Sequence, residues 1–127
     1  MERIPLMIVA NPGTHVRLPD FFSVLASITP LDVISRKGQV DPTTEIAVID
    51  IRGIEKRELV ECGLLLRNSG RTVVVCDTTR LPVDLIIQVH NFTVEAKKQG
   101  KAVRTELLFI EEAIEAVTDL PDLEKLV

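Results

Sequence analysis

Two kinds of hydrophobic pattern alternate along the chain: uninterrupted apolar runs, and segments in which apolar residues recur every three or four positions. The uninterrupted runs predict β-strands, because a strand buried on both faces of a parallel sheet shows no polar alternation. These predicted strands cover residues 5–10, 31–35, 45–50, 71–78 and 102–109. Arg104 and Glu106 interrupt the last of them, which is typical of a strand at the edge of a sheet.

The recurring pattern predicts amphipathic helices. They cover residues 19–28, 55–68, 82–100 and 110–117, and Pro30 ends the first of them. His90 lies off the apolar face of the third helix and is expected to be exposed to solvent. That apolar face is expected to be buried and to consist of Leu85, Ile86, Val89, Phe92 and Ala96.

The predicted order of elements is β-α-β-β-α-β-α-β-α, with no helix between the second and third strands. Apolar strands that alternate with helices indicate an α/β domain whose parallel sheet is covered on both faces. We expect one domain over residues 1–118. In the remaining tail, residues 119–127, the spacing of Leu120, Leu123 and Leu126 predicts an additional helical turn.

Composition narrows the classes of partner. The chain has 127 residues, enough for one domain with a substantial core. Aromatic residues make up only 3%, and Trp and Tyr are absent, so the side chains that stack on unpaired bases are scarce. The net charge is −4 and no basic run is longer than Lys97-Lys98. We therefore expect no nucleic-acid partner.

The hydropathy of the chain also bears on the cellular location of the protein. No apolar run approaches the roughly 18 residues that a membrane-spanning helix needs, so we expect no membrane association. The apolar N-terminus is too short for a signal peptide and is interpreted as the first strand. Cys62 and Cys76 both have apolar neighbours, which favours buried free thiols in a reducing cytoplasm.

Residues with the spacing of a catalytic or metal centre are not evident. Neither cysteine has a histidine or a second cysteine at ligand spacing. His15 and His90 are the only imidazoles, and no Ser/His/Asp or Cys/His set accompanies them. We therefore expect no enzyme activity, no cofactor and no metal.

Asp50 is the main candidate for chemistry. It ends the apolar run Ile46–Asp50 and is followed by a turn at Gly53. In an open α/β sheet, ligands and reacting groups lie at the carboxyl ends of the strands.

The central segment, IAVIDIRGIEKRELVECGLLLRNSGRTVVVCDTT, resembles the middle of a response-regulator receiver domain. The segment FIEEAIEAV resembles the last helix of the same family. This resemblance implies a flavodoxin-like, three-layer α/β/α sandwich with five parallel strands in the order 2-1-3-4-5. It also implies that Asp50 is the phosphoacceptor, and that Thr78, or Thr79, is the hydroxyl that senses phosphorylation.

Two other positions depart from the receiver pattern. The acidic pair that holds Mg²⁺ is replaced by neutral residues that end at Asn11, and no Lys ends the fifth strand near Phe109. Phosphoryl transfer to a carboxylate needs a cation and a basic group to neutralise the phosphoryl oxygens. We therefore expect a pseudo-receiver in which Asp50 is a vestigial phosphoacceptor. The alternative role for Asp50 is a structural one, capping the following turn or pairing with Arg52 or Arg80.

The loop after the first strand is a second candidate site. Asn11, Gly13 and Thr14 follow that strand, where such folds often bind phosphate. The loop lacks the lysine and the other glycines of a P-loop, so an ordinary turn is the alternative.

These observations predict a non-catalytic, receiver-like signalling or scaffold domain that acts through protein contacts. In receivers the output face is formed by the last helices and strands, which corresponds to residues 82–117 here. We expect the partner protein to bind there or at the C-terminal tail, and homodimerisation is the other outcome considered.

Two alternatives belong to other classes. The first is a flavodoxin-like domain that binds a small molecule or nucleotide at the loops after strands 1 and 3. The second is an anti-sigma-antagonist-like regulator, which the segment from Val48 to Thr79 also resembles. That family has Asp-Ser where this chain has Gly53-Ile54-Glu55, and it begins with a hairpin-like strand pair, whereas a helix is predicted here over residues 19–28.

Overall fold

The computed structural model describes residues 4–16, 18, 24–37, 41–81, 83–101 and 107–110. The strands are β1 (Ile4–Ala10), β2 (Val24–Pro30), β3 (Ile46–Asp50), β4 (Thr72–Cys76) and β5 (Leu107–Phe109). The helices are α1 (Leu31–Lys37), α2 (Lys56–Asn68) and α3 (Val83–Lys98), with a short 3₁₀ helix at Thr78–Arg80.

The five strands form one parallel sheet in the order β2-β1-β3-β4-β5, which confirms the predicted α/β class and strand order. β3 lies at the centre, where Ile49 pairs with Val9 on one side and Val75 on the other. The chain leaves β1 toward one edge of the sheet and continues from β3 toward the other. The carboxyl ends of β1 and β3 are therefore a topological switch point, where ligands of open α/β sheets commonly bind.

Alternate residues of the strands point to opposite faces and form two separate cores. One core packs against α1 and α2 through Ile34, Leu59 and Leu66. The other packs against α3 through Ile86. All five residues of β3 and of β4 are buried, as uninterrupted apolar runs predict for strands covered on both sides. The molecule is thus a three-layer α/β/α arrangement.

α2 and α3 lead to the next strand in the same direction across the sheet, from β3 to β4 and from β4 to β5. They nevertheless pack on opposite faces. The two crossover connections therefore have opposite hands, whereas almost all such connections are right-handed. As a result α3 shares its face with Val16 and Leu18, which follow β1.

The prediction for residues 24–35 is wrong in both of its elements. Residues 24–28, expected to continue a helix, lie in β2, and residues 31–35, expected to be a strand, begin α1. The predicted absence of a helix between strands 2 and 3 is wrong for the same reason. Short apolar runs fit either periodicity, and here the β-branched residues of β2 favour the strand. Residues 19–23 of the predicted helix lie outside the described residues.

α3 is placed correctly in the sequence, but its buried face matches the predicted one only in part. Ile86, His90, Thr93 and Ala96 are buried, whereas Phe92 is 65% exposed. The predictions of a buried Phe92 and an exposed His90 are therefore wrong. Ile86 and Ala96 are buried as predicted, but the hydrophobic pattern does not reveal buried polar residues on the same helix. Thr93 is one of these: its Oγ1 donates to the carbonyl of Val89 at 2.9 Å.

The C-terminal predictions are only partly covered. β5 agrees with the end of the predicted strand, and the backbone N–H of Ile110 donates to the carbonyl of Val75 at 3.0 Å. Of the helix expected over 110–117, residues 111–117 lie outside the described residues, as do the boundary at 118 and the tail 119–127. Among the helices that the structure describes, none combines the length and apolar character required to cross a bilayer.

Candidate functional site

The candidate site lies where β1, β3 and β4 end, because the carboxyl ends of parallel strands meet at one edge of the sheet. Asp50 is the last residue of β3, and its side chain is 0% exposed. Thr78 follows β4 and begins the 3₁₀ helix. The structure therefore brings together the two residues that the receiver resemblance pairs.

Both oxygens of the Asp50 carboxylate accept hydrogen bonds. Oδ1 accepts from the backbone N–H of Arg52 at 3.0 Å and from its Nε at 3.1 Å. Oδ2 accepts from Nε and Nη2 of Arg52 at 3.0 and 2.7 Å, and from the Thr78 hydroxyl at 2.6 Å. Asp50 thus caps the turn that follows it and pairs with Arg52, which is the structural role considered as the alternative to phosphorylation.

Arg52 connects the loops that follow three strands. Its Nη2 donates to the carbonyl of His15 after β1 and to the hydroxyl of Thr78 after β4, each at 2.8 Å. Its Nε lies 3.7 Å from a carboxylate oxygen of Asp77. A planar guanidinium suits this position, because its fixed fork can reach several acceptors at once. The sequence predicts Arg52 only as a partner of Asp50 and not as the residue that connects the three loops. An arginine two residues after a buried carboxylate at a strand end is nevertheless a pattern that can be detected in the sequence.

The electrostatics of the pair favour the charged forms. Burial by itself raises the pKa of Asp50, but the hydrogen bonds from Arg52 and Thr78, with the Arg52 charge, outweigh it and hold that pKa below its usual value. The hydrogen bonds to Asp50 in turn raise the pKa of Arg52. Asp50 is therefore a stabilised carboxylate and not a poised acid or base.

Asp77 orders the segment on the other side of Thr78. Its Oδ1 accepts from the backbone N–H of Thr79 at 2.9 Å and from the Thr79 hydroxyl at 2.7 Å. This is the N-cap arrangement that short polar side chains favour. Thr79, the other candidate for the switch hydroxyl, therefore bonds to Asp77, and Thr78 bonds to Asp50.

The loop after β1 is joined to the loop after β3. The Asn11 side-chain amide donates to the carbonyl of Gly53, and the N–H of Thr14 donates to the carbonyl of Asn11 at 3.0 Å. Gly53 has a φ of +72°, and a Cβ there would lie 2.8 Å from the Asn11 amide nitrogen. Close approach and backbone conformation thus both require glycine at this position.

A cleft of about 650 Å³ opens beside the Asp50 pair. Of the predicted ligand-loop residues, Asn11, Gly13 and Thr14 do not line this cleft, whereas the neighbouring His15 does. The volume falls within the usual range for small-molecule sites. The cleft is lined by His15, Leu18, Arg52, Thr78, Thr79, Arg80 and Leu81.

The described residues contain no group of three or more His, Cys, Asp or Glu side chains arranged to hold a metal ion. Cys62 and Cys76 are buried and are not joined in a disulfide, and burial raises the pKa of the Cys62 thiol to about 12. Such a thiol remains protonated near neutral pH and is a poor nucleophile or metal ligand.

Comparison of the chain with protein-family models, curated proteins and solved structures gives no match.

Proposed function

We propose that this chain is a non-catalytic, receiver-like signalling or scaffold domain that acts through protein contacts. The observation that carries the proposal is the condition of Asp50, whose carboxylate is fully buried and hydrogen-bonded on both oxygens. An acceptor carboxylate needs an oxygen exposed to the incoming phosphoryl group, with a cation to neutralise the charge that develops. Asp50 has no exposed oxygen, and the described residues that follow β1 (residues 11–16 and 18) include no carboxylate.

The arrangement of Asp50 and Thr78 supports a receiver-like architecture whose switch is fixed in one state. The resemblance implies a hydroxyl that senses a phosphoryl group on the aspartate. Here the Thr78 hydroxyl donates to the carboxylate itself at 2.6 Å, and Arg52 bridges the two side chains. The guanidinium of Arg52 therefore places a permanent positive charge beside the carboxylate of Asp50. In a phosphorylation switch, such a charge would move to this position only while the aspartate is phosphorylated.

The partner surface is best supported on α3. Phe92 is exposed although it is large and apolar, and it lies beside a groove of about 440 Å³ that reaches Leu108 of β5. Exposed aromatic side chains next to a groove are typical anchors of protein interfaces. Apart from Thr72, the described residues that line the groove belong to the predicted partner region, residues 82–117. We infer an occupant that is a protein segment presenting an apolar side chain. The two buried cysteines, which form no disulfide, favour the cytoplasm as the location of this protein.

The non-catalytic part of the proposal is tested by incubation with acetyl phosphate and Mg²⁺, followed by intact-mass measurement. A functional receiver domain in the same buffer is the positive control. We expect no phosphate adduct on this chain under conditions that label the control. An adduct that disappears in Asp50→Asn would overturn the proposal.

The partner surface is tested by a photo-crosslinking amino acid at Gln88, which is exposed and lines the groove. The matched control places it at Arg57, which is exposed on α2 and on the other face of the sheet. We expect a discrete product from Gln88 alone that Phe92→Ser abolishes, and a purified partner that binds Phe92→Ser at least about tenfold more weakly. A product with twice the mass of the chain identifies a homodimer. Equal products from both positions, or no effect of Phe92→Ser, would argue against this surface.

A further inference from the structure

The geometry points to a binding site for a small phosphorylated molecule in the cleft at the switch point. The cleft lies between the loops after β1, β3 and β4, and it is outside the groove proposed for a protein partner. Ligand binding in this cleft does not depend on the proposed non-catalytic function, because a cleft can hold a ligand whether or not Asp50 is phosphorylated.

The described lining residues carry charge of one sign. Arg52 and Arg80 contribute guanidinium groups, His15 contributes an imidazole, and none of the lining residues that the structure describes is acidic. Asp50 and Asp77 balance part of the Arg52 charge, but neither is among the described lining residues, and Asp50 is fully buried. Clefts lined by one sign of charge concentrate ligands of the opposite sign.

The start of α3 adds to this potential. Leu81 lines the cleft, and α3 begins two residues later at Val83 and runs for 16 residues. The N-terminal end of a helix of this length carries a partial positive charge that favours phosphate groups. Guanidinium groups and a helix N-terminus at one cleft are the combination that a phosphate dianion would recognise.

The walls indicate that the phosphate is attached to an organic group. Leu18 and Leu81 provide apolar surface, and Thr79 adds an exposed polar residue. The volume of about 650 Å³ exceeds what a bare phosphate fills. The cleft thus fits a phosphomonoester with a flat or apolar substituent, such as a mononucleotide.

The test is a titration of the isotope-labelled protein with AMP, inorganic phosphate and adenosine, followed by amide chemical shifts and calorimetry. We expect AMP to bind with a submillimolar Kd, phosphate to bind more weakly and adenosine to bind weakest. Shifts are expected at His15, Thr79 and Leu81, while Ser69 and Gly70 at the opposite edge stay unchanged. Absence of saturable shifts at about 5 mM AMP, or adenosine binding as tightly as AMP, would overturn the proposal.

Arg80→Gln provides the specific variant, because Arg52 holds the buried carboxylate and its replacement would disturb folding. Loss of a charge-assisted hydrogen bond is expected to weaken AMP binding about tenfold or more. Arg57→Gln removes the same charge from an exposed helical pair on α2 and is expected to leave the affinity within about twofold. Equal affinity of Arg80→Gln and the wild type, with both chains folded by thermal denaturation, would contradict the assignment.

Discussion

The two ends of β3 each carry a carboxylate that is paired with a basic side chain, but the pairs differ in burial. At the carboxyl end, Asp50 is fully buried and Arg52 is 32% exposed. Just before the amino end, Glu45 is 25% exposed and pairs with Lys97 of α3, which is 54% exposed. The Nδ1 atom of the buried His90 lies 3.7 Å from the other oxygen of Glu45.

This difference determines what each pair contributes. An exposed ion pair gains little, because water screens it and two mobile side chains must be ordered. A buried carboxylate has lost its hydration and depends on its partners, so removal of one partner leaves an uncompensated charge. The Asp50 pair therefore holds three loops in place at the cleft, while the Glu45 pair adds a smaller, solvent-screened attachment of α3 to the sheet.

The comparison is tested most severely by Arg52→Leu, which removes the charge and retains an aliphatic side chain. We expect the free energy of unfolding to fall by about 3–5 kcal/mol, because Asp50 is left buried without its main partner. This is a large part of the roughly 5–15 kcal/mol that stabilises a typical domain. Urea denaturation measures it, with Arg57→Leu as the exposed control, expected within about 0.5 kcal/mol of the wild type. A loss of free energy below about 1 kcal/mol would show that the buried Asp50 pair contributes no more to stability than the exposed Glu45 pair.

Acid provides the next largest effect. The lowered pKa of Asp50 means that the charged form is favoured by folding. The stability it contributes is therefore fully present above the unfolded pKa of about 3.9 and is lost as pH falls through the lower folded pKa. We expect Asp50→Asn to cost about 2 kcal/mol near pH 7. The difference between the denaturation series of the two chains should stay constant down to about pH 4 and shrink as pH falls further, and a difference that remains unchanged well below about pH 4 would contradict the assignment.

Most of this architecture follows from sequence, because buried strands have a strong pattern. β3 and β4 lie where their apolar runs predict, and α2 begins and ends near its predicted residues. The failure over residues 24–35 has a different cause: β2 and α1 are both seven residues long, too short for either periodicity to dominate.

The position of the site could be predicted from the sequence, but the contacts between its side chains could not. The strand-end rule places Asp50 and Thr78 at one edge, and the structure puts them in contact. Which residue neutralises Asp50 depends on how the turn folds, since Arg52 reaches back two residues to Asp50 and also contacts His15, 37 positions earlier in the chain. The burial of His90 was equally hidden, because Glu45 lies 45 positions earlier in the chain.

Substitution of Thr78 tests how much the hydrogen bonds around the buried Asp50 depend on the threonine hydroxyl. Thr78→Val keeps the shape but removes a donor to Asp50 and an acceptor for Arg52, and we expect a loss of about 1–2 kcal/mol. Thr78→Ser retains the hydroxyl and should recover most of that loss. Thr79→Val, at the exposed neighbouring position, should cost less than Thr78→Val in the same urea series. Equal losses at the two positions would show that the buried hydroxyl has no special part.

The smallest expected effect is at the amino end. Lys97→Gln removes the cation from Glu45 while keeping a side chain of similar length, and we expect a loss between about 0 and 1 kcal/mol, because the pair is partly exposed. The loss should shrink further at 1 M salt, where the Debye length falls to about 3 Å, whereas the effect of Arg52→Leu should change little. Lys98→Gln, the adjacent exposed position, controls for net charge. A loss above about 2 kcal/mol that persists at high salt would mean that Glu45 behaves as a buried charge despite its exposure. The two ends of β3 would then be held by the same physical mechanism.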